Sequence, residues 1–213
     1  MTQTHEWHVI GRGPGLNLKE VASIDSSVTP VIVANHALLD VPNATHFITI
    51  DMSVILKPDL KPHVLSRNVE RCFVANFASG RLAWDGETIY DTTNGIRYDT
   101  TWVDNLFIGE RIGGFGLDVF HTGNNSGHCA IQAAIMMGAR VIHLHGMDYQ
   151  THGDQWHYNE KVRPSDTKVN ERHDSFFKYF LQGLEFAKEH GIQFINHSAL
   201  SRLIPYVNNS IAP

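Results

Sequence analysis

Cysteine is nearly missing from this 213-residue chain: Cys72 and Cys129 are its only two, and they lie far apart. So sparse a pair excludes a disulfide-stapled scaffold and fits a reduced compartment, so a cytoplasmic location is expected. Long apolar runs are missing too. Stretches such as Val31 to Ala34 and Ala133 to Met137 fall far short of the roughly 20 residues a membrane-spanning helix needs, so no membrane span is expected. The opening MTQTHEWH has no basic segment followed by an apolar stretch, which argues against a signal peptide. Basic tracts are also lacking: 17 Lys+Arg stand against 22 Asp+Glu, a formal net charge of −5. Without a dense Lys/Arg run, nucleic acid is disfavoured as the main partner.

What is present is an ordinary soluble composition, 42% hydrophobic and 18% charged, in a length that suits one domain over residues 1–213. No repeat or linker divides it. Histidine is abundant, with 14 residues, and each histidine cluster is a candidate acid, base or metal ligand near neutral pH.

Apolar runs bounded by turn residues predict strands at Trp7–Ile10, Val31–Ala34 and Phe47–Ile50, with a helix near Leu18–Ile24. Between Cys72 and Asn105 the chain turns to Thr, Asp, Asn and Gly. The segments AWDGETIY and DTTNGIRYDTT place Asp-Gly and Asn-Gly between β-formers, predicting a hairpin or flap inserted over residues 72–105. NNSGHCAIQAAIMMG reads as a helix capped by Ser126 and stopped by Gly138, and ARVIHLHGMD as a buried strand ending at Gly146. Phe176, Phe177, Phe180, Leu181, Leu184 and Ala187 give the helical period over Glu171–His190, ended by Gly191, before a last strand in IQFIN. Alternating helices and strands imply right-handed crossovers. The expected fold is a single Rossmann-like α/β three-layer sandwich, with a mostly parallel sheet and a central β-hairpin insertion.

The first strand breaks into GRGPGLN, with Gly11, Gly13 and Gly15. A dinucleotide turn needs a third glycine where Leu16 stands and an acid after the second strand, where Asn35 stands, so NAD is disfavoured. No Gly-Lys-Ser/Thr follows, so a Walker loop is excluded. What is left is a turn whose amides face an anion, or only a tight corner.

Three segments in order, GRGPGLN, NNSGHCAIQAAIMMGARVIHLHGMDYQ and FINHSALSRLI, resemble the bacterial sialyltransferases of glycosyltransferase family 42. They equally resemble a group of proteins, many from phages, that are similar to the archaeal 6-hydroxymethylpterin diphosphokinases. The middle region matches poorly. The resemblance implies a nucleotide-dependent transferase, either a glycosyltransferase taking a nucleotide-sugar or an enzyme taking a nucleoside triphosphate, with an unread acceptor and a possible homo-oligomer. It puts Gly11, Arg12, Gly13 and Pro14 against the donor phosphate and ribose, Asn35 on the nucleotide, Asp51 near the reacting group, and Ser126 and Gly127 in the donor pocket. Asn125 stands where Thr or Ser is usual, and Arg12 where Asn is usual.

Glycosyl transfer needs a base at the acceptor hydroxyl and stabilisation of the departing phosphate. His173, near the sialyltransferase base position, and His157, in the loop THGDQWHYNEK, are the two candidates. The resemblance gives Tyr149 and Tyr158 a role on leaving phosphate oxygens. Asp148, at a strand end, is a candidate to hold a ribose, a sugar hydroxyl or Mg²⁺, or to cap its own loop. Mg²⁺ between Asp51 and Asp148, with Arg12 and Arg111 as cations, belongs to the alternative of diphosphotransfer from ATP to a pterin-like alcohol. A third alternative is a non-catalytic nucleotide-binding accessory protein. His143 and His145, two apart on one strand, share a face and with Asp148 make a candidate zinc set, although residues on such a face are usually packed.

Overall fold

The structure, a computed structural model, describes residues 5–51, 54, 60–66, 69–77, 82–161 and 168–210. Residues 1–4, read above for a leader, and 78–81 of the expected insertion lie outside these. In chain order the elements are β1 Glu6–Ile10, α1 Leu18–Ala22, β2 Val31–Ala34, α2 Ala37–Asp40, β3 His46–Thr49, α3 Leu60–Ser66, β4 Arg71–Phe77, β5 Leu82–Trp84, β6 Ile89–Asp91, β7 Asn105–Gly109, α4 Ser126–Met136, β8 Val141–His145, β9 Gln155–His157, β10 Glu160–Lys161, α5 Val169–Leu181, α6 Leu184–Glu189, β11 Gln193–Asn196 and β12 Asn208–Asn209.

The main sheet runs β12-β11-β8-β1-β2-β3-β4-β7, and every neighbouring pair in it is parallel. Strand alternation sorts the side chains into two cores. On one face Val9, Ile32, Ile48, Phe73 and Leu144 pack with the residues of α4 and with Phe177 and Phe180 of α5. On the other, Ile10, Val33, Phe47 and Val74 pack with Val21 of α1, Leu38 of α2 and Leu60 of α3. Phe47 and Ile48 are neighbours on β3, both fully buried and on opposite faces; each contributes about 1.5–3 kcal/mol. The result is the expected α/β three-layer sandwich.

Several boundaries differ from expectation. The insertion begins later, because Arg71–Phe77 is a sheet strand: Cys72 and Val74 fill one core while Phe73 and Ala75 fill the other. The hairpin itself is present. β5 and β6 pair antiparallel through Asp85 and Gly86, where Gly86 takes φ +101 and Asp85 accepts from the Glu87 and Thr88 amides. The helix read as one over Glu171–His190 is two, α5 and α6. They meet at Gly183, whose amide bonds Phe180 O at 2.9 Å in a tightened turn and where a β-carbon would overlap the Phe115 ring. Gly138 and Gly191 stop their helices at φ +93 and +65, as expected. The cap of α4 is Asn125 rather than Ser126, its side-chain oxygen accepting from the His128 amide at 2.8 Å. The loop after Asp148 holds a second hairpin, β9–β10, that the sequence did not announce.

Candidate functional site

Sheet order fixes where a site can form. From β1 the chain moves outward through β2, β3, β4 and β7, then returns to lay β8 on the other side of β1. That reversal opens a crevice beyond the carboxyl ends of β1 and β8, the place where open α/β sheets bind ligands. A cleft of about 420 Å³ lies there. Gly11, Arg12, Gly13, Asn35, Asp51, Ser126, Gly127, Asp148, Tyr149, His157 and His173 all line it. Pro14, Tyr158 and Arg111 are not among its lining residues, and Arg111 is exposed elsewhere.

The glycine turn does not present a set of open amides. Gly11 N donates to His145 O at 2.8 Å, Gly13 N to Gly146 O at 2.7 Å, and Gly15 N to the Asp148 carboxylate at 2.5 Å. A β-carbon at Gly11 would lie 2.7 Å from Gly146 O and 2.8 Å from Met147 Sδ, and one at Gly13 would lie 2.7 Å from Gly146 O. The glycines therefore let the ends of β1 and β8 press together. Asp148 is the bolt of that junction: buried, it also takes a hydrogen bond from Ser198, and burial pushes its carboxyl above the usual range.

Arg12 is a strut here. Its guanidinium lies 3.6 Å from Asp40, donates to Asn159 Oδ1 at 2.9 Å, and sits 5.9 Å from the Tyr158 ring centre. Its carbonyl accepts from Tyr158 N at 3.0 Å and from His157 Nδ1 at 3.2 Å. The β9–β10 hairpin is thus docked on the glycine turn. A carbonyl only accepts, so His157 carries its proton on Nδ1 and leaves Nε2 with a bare lone pair. Burial, reinforced by the Arg12 charge, lowers the His157 pKa to about 4, so the ring is neutral at pH 7.

His173 is buried on the same wall, but as the fifth residue of α5 rather than ahead of it. Trp156 stands beside both rings, 5.5 Å from His157 and 6.2 Å edge-on from His173. Asp174, next to His173, pairs with Arg202 at 2.6 Å. Facing them are Asn35, whose side-chain oxygen accepts from Thr49 at 2.6 Å at φ +54, and the start of α4, where Ser126 Oγ accepts from Ile50 N at 3.1 Å. Gly127 leaves room for Met147, whose Cε would be 2.7 Å from a β-carbon there. As first residues of an 11-residue helix, Ser126 and Gly127 direct their amides out of its N-terminus.

Tyr149 lines the cleft, but its ring centre lies 5.7 Å from that of Phe180 and 6.1 Å from that of Phe177, and its hydroxyl is sealed from solvent. Tyr158 packs on the opposite core. The pair expected at a leaving phosphate is therefore not assembled: one ring is held by an aromatic core, the other by Arg12. Sequence reasoning missed Trp156, Arg172 and Asn124, all lining the cleft. Arg172 lies over the Trp156 ring at 4.9 Å; its spacing from Phe176, one turn along the same helix, was the signal for that face. The zinc set is also revised. Asp148 belongs to the cleft, and the acids beside His143 and His145 are Glu6 and Glu20. Among the described residues Asp51 and Asp148 form no three-ligand group.

No helix among the described residues is long and apolar enough to cross a membrane. No family model and no curated protein matches the chain. Among solved structures the chain is similar to the sialyltransferase CstII from Campylobacter jejuni, determined in complex with a substrate analogue, CMP-3FNeuAc. The likeness covers 97% of this chain and 86% of that one, at a TM-score of 0.57 and 12% identity, and it establishes the shared fold.

Proposed function

We propose that this chain is a transferase that moves a sugar from a nucleotide-sugar donor to an acceptor hydroxyl. The observation that carries the reading is the convergence on one switch-point cleft of a helix N-terminus and two imidazoles, one with its tautomer fixed. The donor phosphate sits at the amides of Ser126 and Gly127 rather than at the glycine turn. His157 Nε2 takes the proton of the acceptor hydroxyl as that oxygen bonds the anomeric carbon. The bond from that carbon to the phosphate oxygen breaks, and its electron pair leaves on the nucleotide. The negative donor raises the His157 pKa from about 4 towards the working pH, and Arg172 adds positive charge beside the leaving group. The structural likeness to a sialyltransferase holding a CMP-sugar analogue makes CMP-sugars the first donors to test. Diphosphotransfer from ATP has less support, because among the described residues Asp51 and Asp148 form no three-ligand group for Mg²⁺.

Calorimetric titration against CMP-, UDP- and GDP-sugars is the test. One class is expected to bind with a micromolar Kd, and His157→Gln to retain that Kd within about threefold while losing about 10²–10⁴ in turnover. Absence of binding to every donor overturns the proposal, and unchanged turnover in His157→Gln removes the base from it.

A further inference from the structure

The core on the α1–α3 face stops at β1, and beyond it the sheet carries imidazoles. His8 of β1, His143 and His145 of β8 and His197 after β11 all meet there, with ring-centre separations of 4.2–5.2 Å for His145–His197, His8–His143, His143–His197 and His8–His145. Two carboxylates close the rim. His143 Nε2 is 2.8 Å from Glu6 Oε1, and His197 Nδ1 is 2.5 Å from Glu20 Oε1. Between the rings, His143 Nδ1 lies 2.7 Å from His197 Nε2.

That chain of contacts is one proton short. Glu6–His143, His143–His197 and His197–Glu20 make three contacts, each needing one hydrogen between two acceptor atoms. Two neutral imidazoles carry two ring protons, and ionised carboxylates carry none. With both protons directed at the acids, the bare lone pairs of His143 Nδ1 and His197 Nε2 would face each other at 2.7 Å. A positive species must complete the set.

We propose that this species is a borderline divalent transition metal of the Zn²⁺ class, bound by His145, His197 and Glu20. Ligand atoms of these three residues already lie within 4.8 Å of one another. A tetrahedral ion with bonds of about 2.0–2.1 Å needs them about 3.3 Å apart, and because the His145 and His197 rings are stacked with 23° between their planes, one of the two must turn about its side-chain bonds to bring both in-plane lone pairs onto the ion. With the ion on His197 Nδ1, the Nε2 proton points to His143 Nδ1, and His143 donates its Nε2 proton to Glu6. The three contacts of that chain are then satisfied, Glu6 and His143 orient the ligand from behind, and the ion takes the place of the Ser210 hydroxyl, which lies 2.8 Å from His197 Nδ1. The site has an entrance, since the Glu20 side chain is 36% exposed and that of His197 11%. An ion there ties α1 and the segment after β11 to β8. This site is separate from the donor cleft and does not depend on the proposed transfer reaction.

The test uses the full chain, stripped with chelator and titrated calorimetrically with ZnCl₂ at pH 7.5, with Co²⁺ absorption as a second readout. One Zn²⁺ per chain is expected with a Kd of 10 μM or tighter, with intense Co²⁺ d–d bands and no heat from MgCl₂, because imidazoles disfavour a hard cation. Glu20→Gln, a rim change that spares the core, is expected to weaken binding at least tenfold, and His197→Gln to abolish it with an unchanged far-ultraviolet circular dichroism spectrum. The proposal is overturned if the stripped protein shows no Zn²⁺ binding, which would leave a shared extra proton as the cation. Binding unchanged in Glu20→Gln would equally overturn it, by assigning the ion to other histidines.

Discussion

Asp148 separates a structural bolt from a metal ligand, and two substitutions at it read the difference. Its carboxylate accepts from Gly15 N at 2.5 Å and from Ser198, in a place sealed by the turn of β1. Deleting the acceptor leaves a buried amide unpaired, at about 1.5–3 kcal/mol for a bond to a charged group. Burial works the other way, since it raises the carboxyl pKa and so penalises the ionised form in the folded state. The balance for Asp148→Ala is a loss of about 2 kcal/mol. Asp148→Asn keeps an oxygen for Gly15 and sheds the charge, so it is expected within about 1 kcal/mol of the parent. In urea, with m of about 2–3 kcal/mol/M for a chain of this size, Ala should lower the midpoint by about 0.7–1 M and Asn by less than half of that, at constant m. Equal losses in the two variants would show that the charge matters and not the acceptor atom. No loss in Asp148→Ala would show that the glycine turn is not fastened here. A metal-ligand role predicts a different pattern: Asn would lose any Mg²⁺-dependent activity while staying folded.

Gly13→Ala places a β-carbon 2.7 Å from the Gly146 carbonyl, which is backbone and cannot swing aside. A loss of about 1–3 kcal/mol is expected by thermal unfolding, and an unchanged Tm would mean that β1 and β8 are not pressed together at this turn. Acid should destabilise the fold between about pH 6.5 and 4. His46, His128 and His157 are each held at about 4, chiefly by burial. Below pH 6.5 the unfolded chain takes up protons that the folded one refuses, so stability falls with pH, at up to about 4 kcal/mol per pH unit for three such groups. The raised carboxyl of Asp148 has the opposite sign and offsets a part. Unfolding free energies at pH 5.0 and 7.0 measure the slope, and equal values would refute neutral burial of these rings.

The legible parts of this chain were those where one physical signal dominates. α4 could be read because Gly138 at positive φ and a run of small apolar residues agree with each other, and β8 because its apolar positions alternate with histidines. β4 could not, since Thr/Asp/Asn-rich sequence follows it closely, and its fit to the sheet depends on Cys72 and Val74 meeting α2 and α3 across one face. The break at Gly183 was invisible for the same reason. The helical period runs straight through it, and only the Phe115 ring, nearly 70 residues earlier in the chain, forbids a side chain there. At the cleft, the strand-end residues came from local pattern, whereas the state of each did not. Whether the amide of Gly15 is open or taken depends on Asp148, 133 residues away.

The revised role of Arg12 follows from the same non-local geometry and explains more than a phosphate contact would. As a free cation it would add charge to the glycine turn and nothing else. As a strut it fastens the β9–β10 hairpin through Asn159 and Tyr158, and its carbonyl sets the tautomer of His157. Its charge also helps to hold that ring neutral. Arg12, one of the two residues that depart from the sialyltransferase pattern, thus stands beside the hairpin that carries the proposed base. A sheet shared with a sialyltransferase can then support a base delivered from a different segment, because the switch-point crevice fixes where chemistry happens and leaves open which loop supplies it.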